Sequence, residues 1–268
     1  MNNWIFLSKE AKDEYINMFA IGSKGRAINT DDFTYADSED PIVLRGILKK
    51  KIMQRCWLDG RDFYFMDTGY FGNHRYFLNP MGWKYWHRIV KNDLQHGREI
   101  IKRPDDRWRR LAIEMQPRKN PGRKILIAKP DEKPMKFYDM DLDTWLEETV
   151  NTIKQYTDRP IEIRERTKSR VDRVITNTLA EALTDDVHCL VTFNSNSATE
   201  AVMNGVPAFT LSPTHAAMPV TEQDLSKIEN PFWPDEELRY QWACHLAYGQ
   251  FHVNELKDGT AWRILNEQ

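Results

Sequence analysis

Four short runs in the second half of the chain, RKILIAKP (residues 123–130), PIEIRER (160–166), HCLVTFN (188–194) and VPAFTL (206–211), constrain the fold most. Each is extended in character, and three helix candidates lie between them: LDTWLEETVNTIKQYT, ITNTLAEALTDD and SATEAVMNG. Strands joined through helices cannot be hairpins, so they pair in parallel through right-handed crossovers. The acidic, Pro-containing segment after Pro130 reads as a loop. In such a sheet the ligand edge lies outside the carboxyl ends of the strands.

The first half alternates in the same way. NWIFL, PIVLRGI and DFYFMDTG read as strands, and KEAKDEYINMFAIG and LKKKIMQRCWLDG as helices stopped by Gly22 and Gly60. From Gly69 to Trp86 the chain is aromatic and aperiodic, a long structured loop. The expected organisation is an α/β acceptor-side domain over 1–115 and a Rossmann-like domain over 116–268 that includes a last helix, EELRYQWACHLAYGQF.

Several classes are excluded by composition. There is no apolar run of about 18 residues and no basic-then-apolar leader, so neither a membrane partner nor secretion is expected, and the cytoplasm is the default. Cys56, Cys189 and Cys244 lack any C-x-x-C spacing and read as reduced thiols. The seven histidines show no metal-ligand spacing, and His215, after the fourth strand, is the most site-like. In DMDLD, the position where a calcium loop needs Gly holds Thr144, and its twelfth position holds Val150 rather than Glu. Asp143 reads instead as a helix cap, and no metal is expected.

Chemistry concentrates in VTFNSNSATEAVMNGVPAF, residues 191–209. Small polar residues where a strand turns into a helix leave first-turn amides open to a phosphate. With Ser195 or Asn196 as cap, the amides of Ser197, Ala198 and Thr199 face the strand end. The competing reading is a capping box, Ser197-x-x-Glu200, which only closes its own helix.

The motif NSNSATEAVMNGVPAF resembles the donor-site signature of GT-B glycosyltransferases, with its Glu at Glu200 and its Gly and Pro at Gly205 and Pro207. Asn196, between Ser195 and Ser197, occupies the family's serine position. The resemblance spans about residues 123–265 and implies two Rossmann-like domains facing an interdomain cleft. It further implies a nucleoside diphosphate sugar, UDP-linked, as co-substrate, with its diphosphate on the helix N-terminus and its ribose on Glu200. KILIAKP looks like the first donor-domain strand, and IEIRER like the strand whose basic residue reaches the phosphates. In a parallel sheet Lys129, Arg164, Arg166 and Lys168 converge on that edge, where cations offset a leaving group's growing charge; otherwise they form an ordinary solvated, ion-paired face.

Asp67, where an apolar strand meets a Gly-containing loop, is the expected general base, against the alternative of an Asx turn. Asp37, Glu39 and Asp40 form a second acidic group. The segment from Arg98 to Lys124 carries ten Lys and Arg against four acids. Its Arg107, Arg109 and Arg110 suit a phosphate backbone, with Trp108 available to stack. The tail resembles compact phage enzymes that glycosylate hydroxymethylated pyrimidines. That resemblance implies double-stranded DNA bearing 5-hydroxymethylcytosine as acceptor, with the flipped base received by Tyr70, Phe71, Tyr76 and Trp83. A surface-polysaccharide transferase, a sugar-nucleotide epimerase and a non-catalytic DNA-binding module are the alternatives.

Overall fold

The computed structural model describes residues 3–8, 13–46, 50–72, 85–165 and 178–267. They form two compact units.

Unit 1 comprises residues 1–95, 103–111 and 245–268. Its strands are β1 (Ile5–Ser8), β2 (Arg26–Asn29), β3 (Ile42–Arg45), β4 (Phe63–Thr68), β5 (Trp86–Lys91) and β10 (Gln250–His252), in the order β10-β5-β4-β3-β1-β2. Strands β2, β1, β3 and β4 are parallel, whereas β5 and β10 add antiparallel pairs. Burial on both faces explains the unbroken apolar runs of β1, β3 and β4. Helix α1 (Glu14–Ser23) buries Ile16, Phe19, Ala20 and Ser23, one stripe at helical spacing. That stripe meets Trp4, Phe6, Tyr64 and Phe251, with Trp4 stacked on Tyr64 at 4.0 Å and Phe6 edge-on to Phe19 at 5.2 Å. Gly22 is required by packing, because a Cβ there would lie 2.0 Å from the Leu256 carbonyl oxygen. Helices α2 (Lys50–Asp59), α3 (Asp106–Leu111), α9 (Val253–Lys257) and α10 (Thr260–Asn266) are the other α-helices of this unit among the described residues.

Unit 2 comprises residues 96–102 and 112–244. Its sheet, β7-β6-β8-β9, is wholly parallel: β6 (Lys124–Ala128), β7 (Ile161–Arg164), β8 (Val187–Thr192) and β9 (Ala208–Thr210). Helices α5 (Leu142–Ile153), α6 (Leu179–Ala182) and α7 (Ser197–Met203) lie between strands, and Trp145 and Ile153 of α5 pack on Ile125, Ile127, Val191 and Phe193. Gly205, at φ +79°, ends the turn after α7, a left-handed conformation that favours glycine.

Four features differ from the sequence expectations. The acidic segment after Pro130 contains a helix, α4 (Glu132–Phe137), which buries Met135 and Phe137. The cap of α5 is Asp141, not Asp143: Asp141 Oδ1 accepts the Thr144 amide at 2.9 Å. The last predicted helix, α8 (Glu236–Tyr248), stops before Gln250. Residues from His245 onward, expected within a domain over 116–268, belong to unit 1, because Gln250–His252 pair with β5 and their neighbours pack on α1.

In unit 2, His188 is buried on β8 and its Nε2 lies 2.8 Å from the Ile228 carbonyl oxygen. Burial, helped by nearby Arg159, holds its imidazole below the usual 6.5. The unfolded chain therefore takes up a proton that the folded chain resists, so this contribution to stability is present above pH 6.5 and is lost as pH falls below it. Urea denaturation across this range should show stability declining with acid, less steeply in His188→Gln, whose amide can still donate to Ile228. Burial of His252 supplies a further part of the slope. An unchanged slope in the variant would remove His188 from the account.

Candidate functional site

Parallel pairing brings the ends of β6, β7, β8 and β9 to one edge of unit 2. Ala128 is in register with Arg164 and with Thr192, and Thr192 with Thr210. Lys129, Arg164 and the segment from Ser195 to Glu200 therefore share that edge, as expected from the sequence. Arg166 and Lys168 lie outside the described residues.

The turn from β8 into α7 is tightly wired. Ser195 Oγ accepts the Ser197 amide at 3.2 Å, and Ser195 O accepts the Ala198 amide at 3.2 Å. His215, fully buried, accepts the Ala217 amide on Nδ1 at 2.9 Å, so its proton sits on Nε2, which donates to Ser195 O at 2.9 Å. Asn196 occupies the N-cap position without a side-chain cap bond. Ser197 is the first helical residue rather than the cap, so the Ser197–Glu200 capping box does not form. Two amides expected to face a ligand are instead held by Ser195.

Two hydroxyls of the first turn remain. Ser197 Oγ and Thr199 Oγ1 are buried without a hydrogen-bond partner, in residues 7% and 0% exposed. Leaving a buried hydroxyl unpaired costs about 1–3 kcal/mol. The positive charge nearby is partly matched: Lys129 Nζ pairs with Glu165 at 2.8 Å, and this hydrogen bond raises the lysine's pKa. Glu200 is half-buried one turn into α7. Among the described residues no group of three His, Cys, Asp or Glu is placed to hold a metal ion.

The first-half candidates fare differently. Asp67 Oδ1 accepts the Thr68 amide at 2.7 Å, and Oδ2 pairs with Arg88 at 3.1 Å. Arg88 also donates to the carbonyls of Thr68 and Leu94, and its guanidinium lies 5.4 Å from the Tyr70 ring. With both oxygens engaged, Asp67 holds the end of β4, the Asx-type role. Asp37, Glu39 and Asp40 precede β3 and so lie toward its amino end, and Asp40 accepts from Ser38 at 2.6 Å.

Among the DNA-contact candidates, Arg107 and Trp108 are 8% and 5% exposed. Arg107 forms a bidentate pair with Glu255 at 2.8 and 2.9 Å and donates to the carbonyls of Ala247 and Gln250. Trp108 lies edge-on to Phe71 at 5.2 Å. Tyr70 is also buried. Burial removes these three from an exposed contact surface; Arg109 and Arg110 are exposed and paired with Asp105 and Glu255. Tyr76 and Trp83 lie outside the described residues.

No family model and no curated protein matches the sequence. Solved structures do match in fold. The Thermosulfurimonas dismutans KpsC β-Kdo 2,7 transferase aligns with a TM-score of 0.52 and 9% identity over 99% of each chain. The β-Kdo 2,4 transferase of the same organism's KpsC aligns with a TM-score of 0.50 and 11% identity, over 90% of this chain and 89% of that one. The chain has the two-unit α/β fold of GT-B-like glycosyltransferases. Among the described residues no helix is long and apolar enough to cross a membrane.

The Arg107–Glu255 pair gives a sharp expectation. Glu255→Gln leaves a buried guanidinium without its counter-charge and should destabilise the protein by about 3–5 kcal/mol. Arg109→Ala, at an exposed pair, should cost less than about 1 kcal/mol. Urea midpoints measure both, and equal losses would contradict the burial argument.

Proposed function

We propose that the chain is a glycosyltransferase that moves a sugar from a nucleoside diphosphate sugar, UDP-linked, to a hydroxyl acceptor, 5-hydroxymethylcytosine in double-stranded DNA. The observation that carries the donor half is the pair of buried, unpartnered hydroxyls, Ser197 Oγ and Thr199 Oγ1, in the first turn of α7. They stand at the edge of a parallel sheet where ligands bind, and phosphate oxygens are acceptors that would satisfy them. The fold shared with the two Kdo transferases is compatible with this chemistry.

In this reading the Ser197 and Thr199 hydroxyls donate to the phosphates. Arg164 supplies positive charge as the leaving group's charge grows, an interaction worth most in the transition state. Lys129 contributes less, because Glu165 already offsets it. Glu200 accepts hydrogen bonds from the ribose diol. No step requires a metal. The DNA acceptor rests on the basic segment, where Arg109 and Arg110 keep exposed guanidiniums.

The test is a panel of nucleotide sugars, including a Kdo donor, incubated with hydroxymethylated duplex DNA, with an acidic oligosaccharide, or alone, following nucleotide release and acceptor mass. Sugar-dependent mass gain on DNA, with binding that weakens as salt rises, supports the whole reading. Gain on the oligosaccharide alone overturns the DNA acceptor, and consumption without an acceptor indicates an epimerase. DNA binding with no use of any donor would leave a binding module. In calorimetry Glu200→Ala should weaken donor affinity at least about tenfold, as expected for a lost hydrogen bond to a charged group. Unchanged affinity would sink the ribose assignment.

A further inference from the structure

Three arginines are buried among the described residues, Arg61, Arg107 and Arg239, and two of them are well satisfied. Arg107 meets the Glu255 carboxylate and two carbonyls. Arg61 donates from Nε and Nη2 to Asp40 O and from Nη1 to Tyr35 O, at 2.7 to 2.9 Å. Arg239 of α8, only 5% exposed, makes a single hydrogen bond, from Nη1 to Gln116 O at 3.0 Å. Its Nε is buried without a partner. The acids just before it do not supply one: Asp235 accepts the Leu238 amide, Glu237 accepts from Gln241, and Glu236 acts on Arg239 without forming an ion pair. A guanidinium does not give up its proton in a protein, so burial leaves this charge uncompensated.

A second guanidinium stands close by. Arg239 lies 4.8 Å from the centre of the Trp233 ring, and Arg118, which is exposed, lies 5.9 Å from the same ring. Arg118 pairs with no carboxylate among the described residues. Attraction to the indole offsets only part of the cost of bringing two cations together. Phe232, next to Trp233, is exposed. The backbone fixes where this cluster is. Gln116 N donates to Met203 O and Lys119 N to Gly205 O, both at 2.8 Å, so the segment carrying Arg118 crosses the end of α7, where the chain turns toward the start of β9. That is the amino edge of the unit 2 sheet, opposite the edge that carries Lys129, Ser197 and Thr199.

We propose that Arg239 and Arg118, flanking Trp233, form a second ligand site, which takes the oxyanion, phosphoryl or carboxylate, of a small organic molecule. The oxyanion accepts from guanidinium donors that the chain leaves unmatched, which is the geometry arginine serves best. Trp233 and Phe232 offer an apolar surface to the rest of the ligand. The inference stands apart from the glycosyltransferase reading, since it concerns the other edge of the sheet and no residue of the donor site.

The experiment is NMR on the ¹⁵N-labelled full chain, titrated with inorganic phosphate or with acetate, sodium chloride keeping ionic strength constant. The reporters are the Trp233 indole N–H, identified by its loss in Trp233→Phe, and the Arg239 Nε–H, identified by its loss in Arg239→Lys. Both should shift and saturate with at least one anion. Response to phosphate alone assigns a phosphoryl ligand, response to acetate alone a carboxylate, and response to both supports the site for either group. Arg118→Ala should weaken binding at least about tenfold, as expected for a lost charge-assisted contact. Ser197→Ala, at the other edge, should leave the Kd within about twofold, as for sites that do not couple. No saturable shift with either anion overturns the proposal, as does unchanged affinity in Arg118→Ala. Loss of the shifts in Ser197→Ala also overturns it, because the anion would then be bound at the donor edge. Should Arg239→Lys fail to fold, the Trp233 signal and the exposed Arg118→Ala change still decide.

Discussion

All-parallel pairing of β7, β6, β8 and β9 is the constraint on which the rest of unit 2 depends. In a parallel sheet every strand-to-helix turn emerges on the same side, so residues far apart in sequence become neighbours without any long-range signal of their own. Lys129, Arg164, Ser195 and His215 share an edge for this reason alone. The pairing also closes the backbone: Lys129 N donates to Arg164 O at 3.0 Å, and Leu211 N to Thr192 O at 3.0 Å. Thr192 Oγ1 reaches across to Ala128 O at 3.0 Å, so a buried hydroxyl at a strand end is satisfied by its neighbour. The buried hydroxyls of Ser197 and Thr199 in α7 have no such neighbour.

Charge follows burial rather than sequence density. The run around Arg107 is the most basic stretch of the chain, and basic stretches usually read as solvated surface or as a phosphate footprint. Within it, Arg107 is among the most buried side chains. Its guanidinium ties residues near 107 to residues near 255 through a carboxylate and two carbonyls, and Glu255 also closes a capping box on His252. A buried ion pair is tolerated only when nearly every donor is satisfied, and here four hydrogen bonds supply that. The pair thus helps to hold the C-terminal segment in unit 1, which the linear order of the chain would not suggest.

Most strands legible in the sequence were those buried on both faces; the edge strand β7, half-buried to exposed, was legible from its alternating Ile161 and Ile163. The runs containing Phe6, Val43, Phe65, Ile127 and Val191 were read correctly because two-sided burial leaves an unbroken apolar signature. Strands β2, β5 and β10 escaped. Arg26–Asn29 is an edge strand with two exposed residues and no apolar alternation. Trp86–Lys91 follows an aromatic stretch without period, and Gln250–His252 is three residues long and paired with a strand about 160 residues earlier. At the site, the motif over 191–209 was legible because a polar turn between an apolar strand and a short helix is a local pattern.

Local wiring bears on the two readings of that motif. A helix start that only caps itself would place its own serine at the cap, and here Ser197 is already the first helical residue. The cap comes from Ser195, whose side chain and carbonyl take two first-turn amides and whose carbonyl is fixed in turn by His215. His215 performs this task in one tautomer only, with Nδ1 accepting from Ala217 and Nε2 donating to Ser195. The turn is thus held rigid by residues outside the helix, and Ser197 and Thr199 are relieved of capping. Two hydroxyls left buried and unpaired on a rigid turn cost stability, and folding alone offers no return for it. A ligand that accepts hydrogen bonds would, and that is the physical ground of the proposal that phosphate oxygens bind there.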